Sequence, residues 1–130
     1  MRVEELYPDF NEVEAFHNRG PMVRDFGEVL VEVADRGYDG DSRYLLRSEG
    51  RFGILIFGWG SCSMCDAMAA CESYEDLQEL YDTLQSQILW FTYYHEVREW
   101  IASHDWEASF MRLDGSLEFK HQVSRWFDLH

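Results

Sequence analysis

The stretch that decides the fold runs from Arg43 to Phe57 and reads RYLLRSEGRFGILIF. It contains two strand-like segments, Arg43–Arg47 and Phe52–Phe57, which are joined by Ser48–Arg51. A short link that contains glycine between two such segments is typical of a β-hairpin. The second segment carries the uninterrupted apolar run Ile54–Phe57, whose length suits a buried strand. We therefore predict a hairpin at the centre of a small antiparallel sheet.

Helices are expected both before and after this hairpin in the sequence. Ser73 and Asp76 form a capping-box pattern, and apolar residues then recur at helical spacing over 77–88. Further helices are expected from an Asp9 cap to a stop at Gly20–Pro21, over Phe26–Arg36, after a Thr92 cap, and after Asp114–Gly115 with a Ser116 cap. Extended segments are expected at Leu89–Phe91 and Trp106–Met111. This order predicts an α+β fold in which several helices cover the sheet, as a single domain over residues 1–130.

The segment Phe26–Arg36 fits two patterns. Phe26, Leu30 and Val33 follow a helical stripe, whereas Val29, Val31 and Val33 alternate as a strand does. The glycine that follows is typical of a helix C-cap, so we predict a helix.

The composition is that of a folded globular chain. The 130 residues are near the usual size of one domain. A hydrophobic share of 46% with 16% aromatic residues excludes a disordered chain. No apolar run approaches the length that crosses a bilayer, and the opening residues lack the apolar core of a signal peptide. We expect a cytoplasmic protein, whose three cysteines are reduced or bind metal rather than form disulfides.

The charge is strongly negative, with 25 acidic residues, 11 basic residues and a formal net charge of −14. Such a field repels nucleic acids and anionic membranes, so we expect neither to bind directly. It favours a basic partner. One interpretation is a solvated acidic surface, and another is mimicry of nucleic-acid charge towards a nucleic-acid-handling enzyme.

A turn with two cysteines follows the second strand of the hairpin and reads WGSCSMCD over Trp59–Asp66. Cys62 and Cys65 are three residues apart, so they lie on one face if a helix begins there. Amides at such a helix start stabilise a thiolate or hold an anion. The helix start would favour a thiolate, but no Lys or Arg lies within ten residues of Cys62 to stabilise it further. The candidate binding residues of this turn are Trp59, Ser61, Cys62, Cys65 and Asp66.

Three interpretations of the cysteines stay open. A thiol-redox site fits the C-x-x-C spacing, but both prolines lie upstream and a hairpin precedes the motif. A zinc site would use Cys62, Cys65 and Cys71, although a second clear ligand pair is missing. In the third interpretation the cysteines pack as small apolar groups. The chain has no phosphate-binding loop, nucleophile elbow or zinc-protease motif, and we predict neither catalytic residues nor a required cofactor.

A second candidate contact surface is the aromatic run over 90–94, which reads WFTYY. Neighbouring aromatic residues in one short segment cannot all face inward. Some of them are therefore expected at the surface, where amphipathic aromatic side chains anchor interfaces. The candidate binding residues are Trp90, Tyr93 and Tyr94.

The run over 58–66, together with Trp90–Phe91 and Asp105–Glu107, resembles small bacteriophage proteins of unknown function. These carry a comparable aromatic-Gly-Ser-Cys-Ser-x-Cys-Asp turn followed by an acidic helix. Met64 stands where that motif has glycine. The resemblance implies a phage accessory protein in the host cytoplasm that acts by binding a host or phage protein.

Three functional hypotheses follow. The first is a non-enzymatic acidic protein-binding module that takes over or inhibits a host protein. The second is a metal-binding or thiol-redox protein that uses the Cys62–Cys65 turn, with zinc as its metal. A small-molecule site at the corner between strand and helix is a third option.

Overall fold

The computed structural model describes residues 2–10, 20–34, 40–59, 70–104 and 113–130. The helices in these ranges are α1 (Val3–Leu6), α2 (Gly20–Phe26), α3 (Tyr74–Gln87), α4 (Tyr94–Ser103) and α5 (Leu113–Leu129). The strands are β1 (Glu28–Ala34), β2 (Gly40–Ser48), β3 (Arg51–Trp59) and β4 (Leu89–Phe91).

The four strands form one antiparallel sheet in the order β1-β2-β3-β4. β2 and β3 pair continuously from Ser48 and Arg51 at the turn to Gly40 and Trp59 at the far end. β4 adds to the other edge of β3, where Trp90 lies opposite Gly53. The predicted α+β fold and its central hairpin are confirmed, and both hairpin strands are longer than predicted.

The hairpin turn itself consists of two residues, Glu49 and Gly50. Their φ angles are 53° and 77°, and positive φ at both central positions is what a type I′ turn requires. Glycine adopts this conformation freely, whereas the Cβ of Glu49 makes it unfavourable. The tight turn fixes the register of the two central strands.

Both faces of the sheet are covered by helices. Tyr44 and Leu46 of β2 point into one apolar cluster with α1, α2 and α3. Leu45 of β2 and Ile54 of β3 point into a second cluster with α4 and α5. Because both faces are buried, the central strands are apolar at successive positions rather than at alternate ones. We call α1–α3 the first layer and α4–α5 the second layer.

The first layer is joined by directed hydrogen bonds between helices. The Tyr74 hydroxyl donates to the Tyr7 carbonyl oxygen at 2.6 Å, and the first backbone N–H of α1 donates to Gln78 Oε1 at 3.1 Å. The buried Tyr81 hydroxyl donates to the Asp25 carboxylate. Burial, together with this carboxylate, raises the pKa of Tyr81 above its ordinary value.

The second layer packs α4 and α5 on the opposite face. Its fully or nearly fully buried side chains include Val97 and Ile101 of α4 and Phe119 and Val123 of α5. Around them, half-buried rings complete the cluster, among them Phe52, Phe91, Trp100, Trp126 and Phe127.

A buried glycine in β3 makes room for the side chains at the start of β4. A Cβ atom at Gly53 would lie 2.8 Å from Trp90 Cζ3 and 2.8 Å from Ile88 Cγ2. These distances are shorter than a van der Waals contact, so the missing side chain of Gly53 makes room for the Trp90 ring. On its exposed side, the Arg51 guanidinium lies 5.2 Å from the centre of that ring.

The helix predicted over Phe26–Arg36 is wrong, because most of this segment is strand β1. Val29 packs against the cluster of the first layer, whereas Val31 and Val33 lie in the cluster of the second. The change of face coincides with a bulge in the register between Val29 and Val31. β-branched residues at these positions suit a strand that contacts both layers.

Helix α2 begins at Gly20–Pro21, and the helix predicted to end there lies mostly in 11–19, outside the described residues. Proline fits the first turn, where its missing N–H has no intrahelical partner to lose. Thr92 does not cap α4, because the cap is Tyr93, whose N–H donates to the Glu96 carboxylate at 2.9 Å.

The last helix begins earlier than predicted. α5 starts at Leu113, so Asp114–Gly115 do not turn the chain and Ser116 lies inside the helix. Packing against the sheet overrides the local turn preference of these residues. Ser116 is 0% exposed, and its Oγ has no hydrogen-bond partner in the part of the chain that the structure describes.

The capping box of α3 is confirmed, because the Ser73 side chain accepts a hydrogen bond from the Asp76 N–H at 3.2 Å. The extended segment Leu89–Phe91 is confirmed as β4. The predicted strand Trp106–Met111 lies entirely in 105–112, and most of the helix predicted after Asp9 lies in 11–19, both outside the described residues. None of the described helices has the length and apolar character needed to cross a membrane.

Candidate functional site

The predicted cysteine turn falls almost entirely outside the described residues. Trp59 ends β3, and Ser61, Cys62, Cys65 and Asp66 lie in the undescribed range 60–69. The structure therefore leaves their binding, redox and metal roles as predictions.

Cys71, the third predicted zinc ligand, is 4% exposed and packs in the first-layer cluster. Among the described residues, no group of three or more His, Cys, Asp or Glu side chains is arranged to hold a metal ion.

The predicted aromatic run divides at the start of α4. Trp90 and Phe91 are half-buried in β4, whereas Tyr93 and Tyr94 are 61% and 57% exposed. The neighbouring Leu89 is 45% exposed. The prediction that part of this run reaches the surface is confirmed.

Tyr94 is one wall of a cavity of about 570 Å³ between the sheet and the second layer. We call this cavity and its lining the aromatic–arginine groove. The lining comes from β2, β3, α4, α5 and the residue after α5, and it consists of Arg47, Phe52, Tyr94, Arg98, Trp126, Phe127 and His130. A volume of this size is typical of a ligand pocket or of an interface pocket that accepts a large side chain.

Two arginines lie over aromatic rings of the groove. The Arg98 guanidinium carbon is 5.8 Å from the centre of the Tyr94 ring and 5.7 Å from that of Phe127. The Arg47 guanidinium carbon is 5.7 Å from the centre of the Trp126 ring. Stacking on rings holds the planar guanidinium groups in defined orientations.

Each arginine also pairs with a carboxylate at the rim of the groove. Arg98 Nη2 lies 3.1 Å from Asp128 Oδ1, and Arg47 Nη2 lies 2.9 Å from Glu28 Oε2. The four side chains are between 43% and 70% exposed. Exposed pairs of this kind contribute little to stability, so the arginines are able to exchange partners.

The rings beneath the arginines are packed against one another. Phe52 meets Trp126 and Phe127 edge to face, with centroid distances of 5.9 Å and 5.2 Å. The His130 ring lies parallel to Trp126, with centroids 4.4 Å apart. This packing makes the groove floor a rigid aromatic surface.

Smaller cavities continue along α5. One of about 410 Å³ lies between α5 and β1 and includes Arg125 and Glu118, and one of about 240 Å³ between α4 and α5 includes Lys120. Together with the groove, the three linings contain four basic side chains and one acidic side chain. This local balance is the reverse of that in the chain as a whole, in which acidic residues outnumber basic ones.

The outer face of α3, on the other side of the sheet, has the opposite character. Glu75, Asp76, Glu79 and Asp82 are all exposed there. The described molecule thus has an acidic face on the first layer and an aromatic face with basic side chains on the second.

Three of the described histidines, His95, His104 and His130, stack on neighbouring aromatic residues of the second layer. His95 stacks on Tyr93 and His104 on Trp100, with centroids 5.5 Å and 4.3 Å apart. His121 lines the 410 Å³ cavity.

Sequence reasoning found Tyr94 but missed the rest of the groove. Trp90 and Tyr93 are not part of its lining. Two local signals were present: Arg47 and Phe52 are direct partners in the hairpin register, and Tyr94 and Arg98 are one helical turn apart.

Comparison of the chain with known protein families, curated proteins and solved structures finds no significant match.

Proposed function

We propose that this chain is a non-enzymatic protein-binding module, a phage accessory protein that engages a host or phage protein through its second layer. The observation that carries the proposal is the exposed aromatic surface beside the groove. Tyr93 and Tyr94 are each more than half exposed, and Leu89 and Leu129 are large apolar residues that are also exposed.

This surface has the composition of an interaction site. Trp, Tyr and Arg are enriched among the residues that contribute most to protein–protein binding, and the groove brings all three types together. Large apolar side chains that are exposed remain costly in water until a partner covers them. A protein partner of this face would remove Tyr94 and the rim of the groove from solvent.

The acidic first layer supports a basic partner. A net charge of −14 accelerates encounter with a positively charged protein and is weakened by salt. A nucleic-acid-handling enzyme is such a partner, because its substrate site is basic. In this proposal the first layer steers the encounter and the second layer makes the specific contact.

The test is quantitative isolation of the tagged protein from host lysate at low and at high salt, followed by mass spectrometry. We expect a protein that the wild type retains and Tyr94→Ala loses. Retention should weaken at high salt. The matched control is Gln85→Ala on the exposed face of α3, which should retain the partner. Identical protein sets for all three chains would contradict the proposal.

A further inference from the structure

Basic side chains are concentrated at the cavities along α5. In a protein with 25 acidic and 11 basic residues, the linings of these three cavities contain four basic side chains and a single carboxylate. At the rim of the groove, Glu28 and Asp128 pair one to one with Arg47 and Arg98 and balance their charges. The character of the site therefore depends on which of these charges is available to a partner.

The arginines have donors left for a partner. Arg98 donates to Asp128 through Nη2, and its Nε and Nη1 make no hydrogen bond to any described residue. Arg47 donates to Glu28 through Nε and Nη2, which leaves Nη1 without a bond to the described chain. A carboxylate accepts such donors in a planar, directional arrangement.

The rim carboxylates are the groups that give way most easily. Asp128 and Glu28 have side chains 70% and 61% exposed, against 46% and 43% for Arg98 and Arg47. The arginines are held by rings as well as by these pairs, whereas the carboxylates reach into solvent. An incoming acidic side chain would take the place of a rim carboxylate at small cost. A basic side chain would instead face two fixed guanidinium groups.

The floor of the groove adds a second requirement. Phe52, Trp126 and Phe127 present packed rings, and the cavity of about 570 Å³ has space for one more aromatic side chain. Rings prefer to pack against other rings in offset or edge-to-face geometry. Binding hot spots tend to pair with hot spots on the partner.

We propose that the groove binds an acidic segment of the partner that carries an aromatic side chain. The ring of that segment packs on the groove floor, and its flanking carboxylates bind Arg98 and Arg47. This inference rests on the proposed protein-binding function and specifies what its partner presents. A partner that is basic overall meets the acidic first layer at long range and places this local acidic segment in the groove.

The experiment uses three short capped peptides with one central phenylalanine, flanked by glutamates, lysines or glutamines. Each is titrated into the isotope-labelled protein while backbone, indole and arginine side-chain NMR signals are followed. We expect the glutamate peptide to shift the signals of Trp126 and Arg98 and to bind about tenfold more tightly than the lysine peptide.

Two variants localise the effect. Arg98→Gln should weaken binding of the glutamate peptide about tenfold, because a charged hydrogen bond is lost. Arg51→Gln is the matched control, since Arg51 also lies over a tryptophan, Trp90, but outside the groove. Its affinity for the glutamate peptide should be unchanged.

The outcomes separate this inference from the proposed function. Equal or tighter binding of the lysine peptide in the groove overturns the acidic assignment but leaves a protein-binding groove in place. Signal shifts confined to other surfaces overturn the site itself. If no peptide binds while Tyr94→Ala still loses its partner, the inference fails and the proposed function stands. If both experiments fail, both are wrong.

Discussion

The two helical layers lie on opposite faces of one sheet and differ in how their aromatic residues are packed. In the first layer, Tyr74 and Tyr81 place ring and hydroxyl inside the protein and bond to other helices. In the second layer, Tyr94 and Trp126 leave part of their surface beside an open groove. Aromatic residues therefore join elements of the fold in the first layer and remain accessible to a partner in the second layer.

The degree of burial distinguishes aromatic residues that stabilise the fold from aromatic residues that are candidates for contact with a partner. A side chain that is buried with its polar atom paired contributes to folding. A ring that is half-exposed and grouped with arginine has more to gain from a partner. The comparison predicts that substitutions in the first layer reduce stability, whereas substitutions in the groove reduce binding.

The largest effect on stability is expected from Leu77→Ala in the first layer. Leu77 is 0% exposed, so its truncation should cost about 3 kcal/mol of unfolding free energy. Leu129→Ala is the matched substitution in the second layer, where the side chain is 69% exposed, and it should change stability by less than about 0.5 kcal/mol. Urea denaturation measures the free energy of unfolding of both variants. Equal losses of unfolding free energy would contradict the proposed difference between the two layers.

Gly53→Ala should cost about 2 kcal/mol, because the new methyl group overlaps Trp90 and Ile88. Chemical denaturation measures the loss. Combining it with Trp90→Leu tests the cause, since the smaller side chain should make room for the methyl group. A double variant whose losses simply add would show that the contact with Trp90 is not the reason.

Tyr81→Phe should destabilise the protein by about 1.5 kcal/mol, because the half-buried Asp25 carboxylate loses its donor. Tyr94→Phe removes a hydroxyl from an exposed ring and should leave stability unchanged. Thermal and urea unfolding of the two variants compare one hydroxyl in each layer. Equal stability of Tyr81→Phe and the wild type would argue against the directed bond.

The same tyrosine predicts a pH dependence. Because folding raises the pKa of Tyr81 above its ordinary value of 10.0, the unfolded chain loses this proton first. The stabilisation is therefore present below pH 10 and is lost as the pH rises above it. Unfolding free energy measured between pH 8 and about 11 should fall more steeply for the wild type than for Tyr81→Phe. Parallel curves would contradict the assignment.

Ser116→Ala should stabilise the protein by about 1 kcal/mol. The buried hydroxyl lacks a partner among the described residues, and alanine is a better helix former than serine. Ser124→Ala on the exposed side of α5 controls for helix propensity and should give a smaller gain. A loss of stability for Ser116→Ala would show that its hydroxyl is needed.

The smallest effect on stability is expected at the hairpin turn between β2 and β3. Glu49→Asn should raise stability by about 0.5 kcal/mol, because asparagine tolerates positive φ better than glutamate. Glu49→Gln removes the same charge without relieving the backbone. Equal gains for the two variants, measured by urea denaturation, would assign the effect to charge.

Much of this fold is predictable from local patterns. The hairpin depends on a glycine turn between two short strands, and the Ser73 cap of α3 is confirmed by its hydrogen bond. β1 was mistaken for a helix because the glycine after Phe26–Arg36 resembles a helix C-cap, and the strand contains a bulge between Val29 and Val31. The sequence has no direct record of such a bulge, which depends on pairing with β2.

The candidate site was harder to predict because it is assembled from distant segments. Tyr94 was found through its aromatic neighbours, but its contact with Phe127 needs α4 and α5 to lie on the same face of the sheet. The position of the groove between them follows from tertiary packing alone. The resemblance to phage proteins and the role of the cysteine turn remain predictions.

The proposal that a partner contacts the second layer is tested most directly by photo-crosslinking. One variant carries a photo-crosslinking amino acid at Tyr94, and a separate variant carries it at Glu79. Both side chains are exposed, one beside the groove and the other on the acidic face of α3. After irradiation in host cells, position 94 should give one discrete crosslinked protein that Arg98→Gln weakens, and position 79 should give little. A discrete crosslink from position 79 alone would contradict the account, because the acidic layer would then be the contact surface.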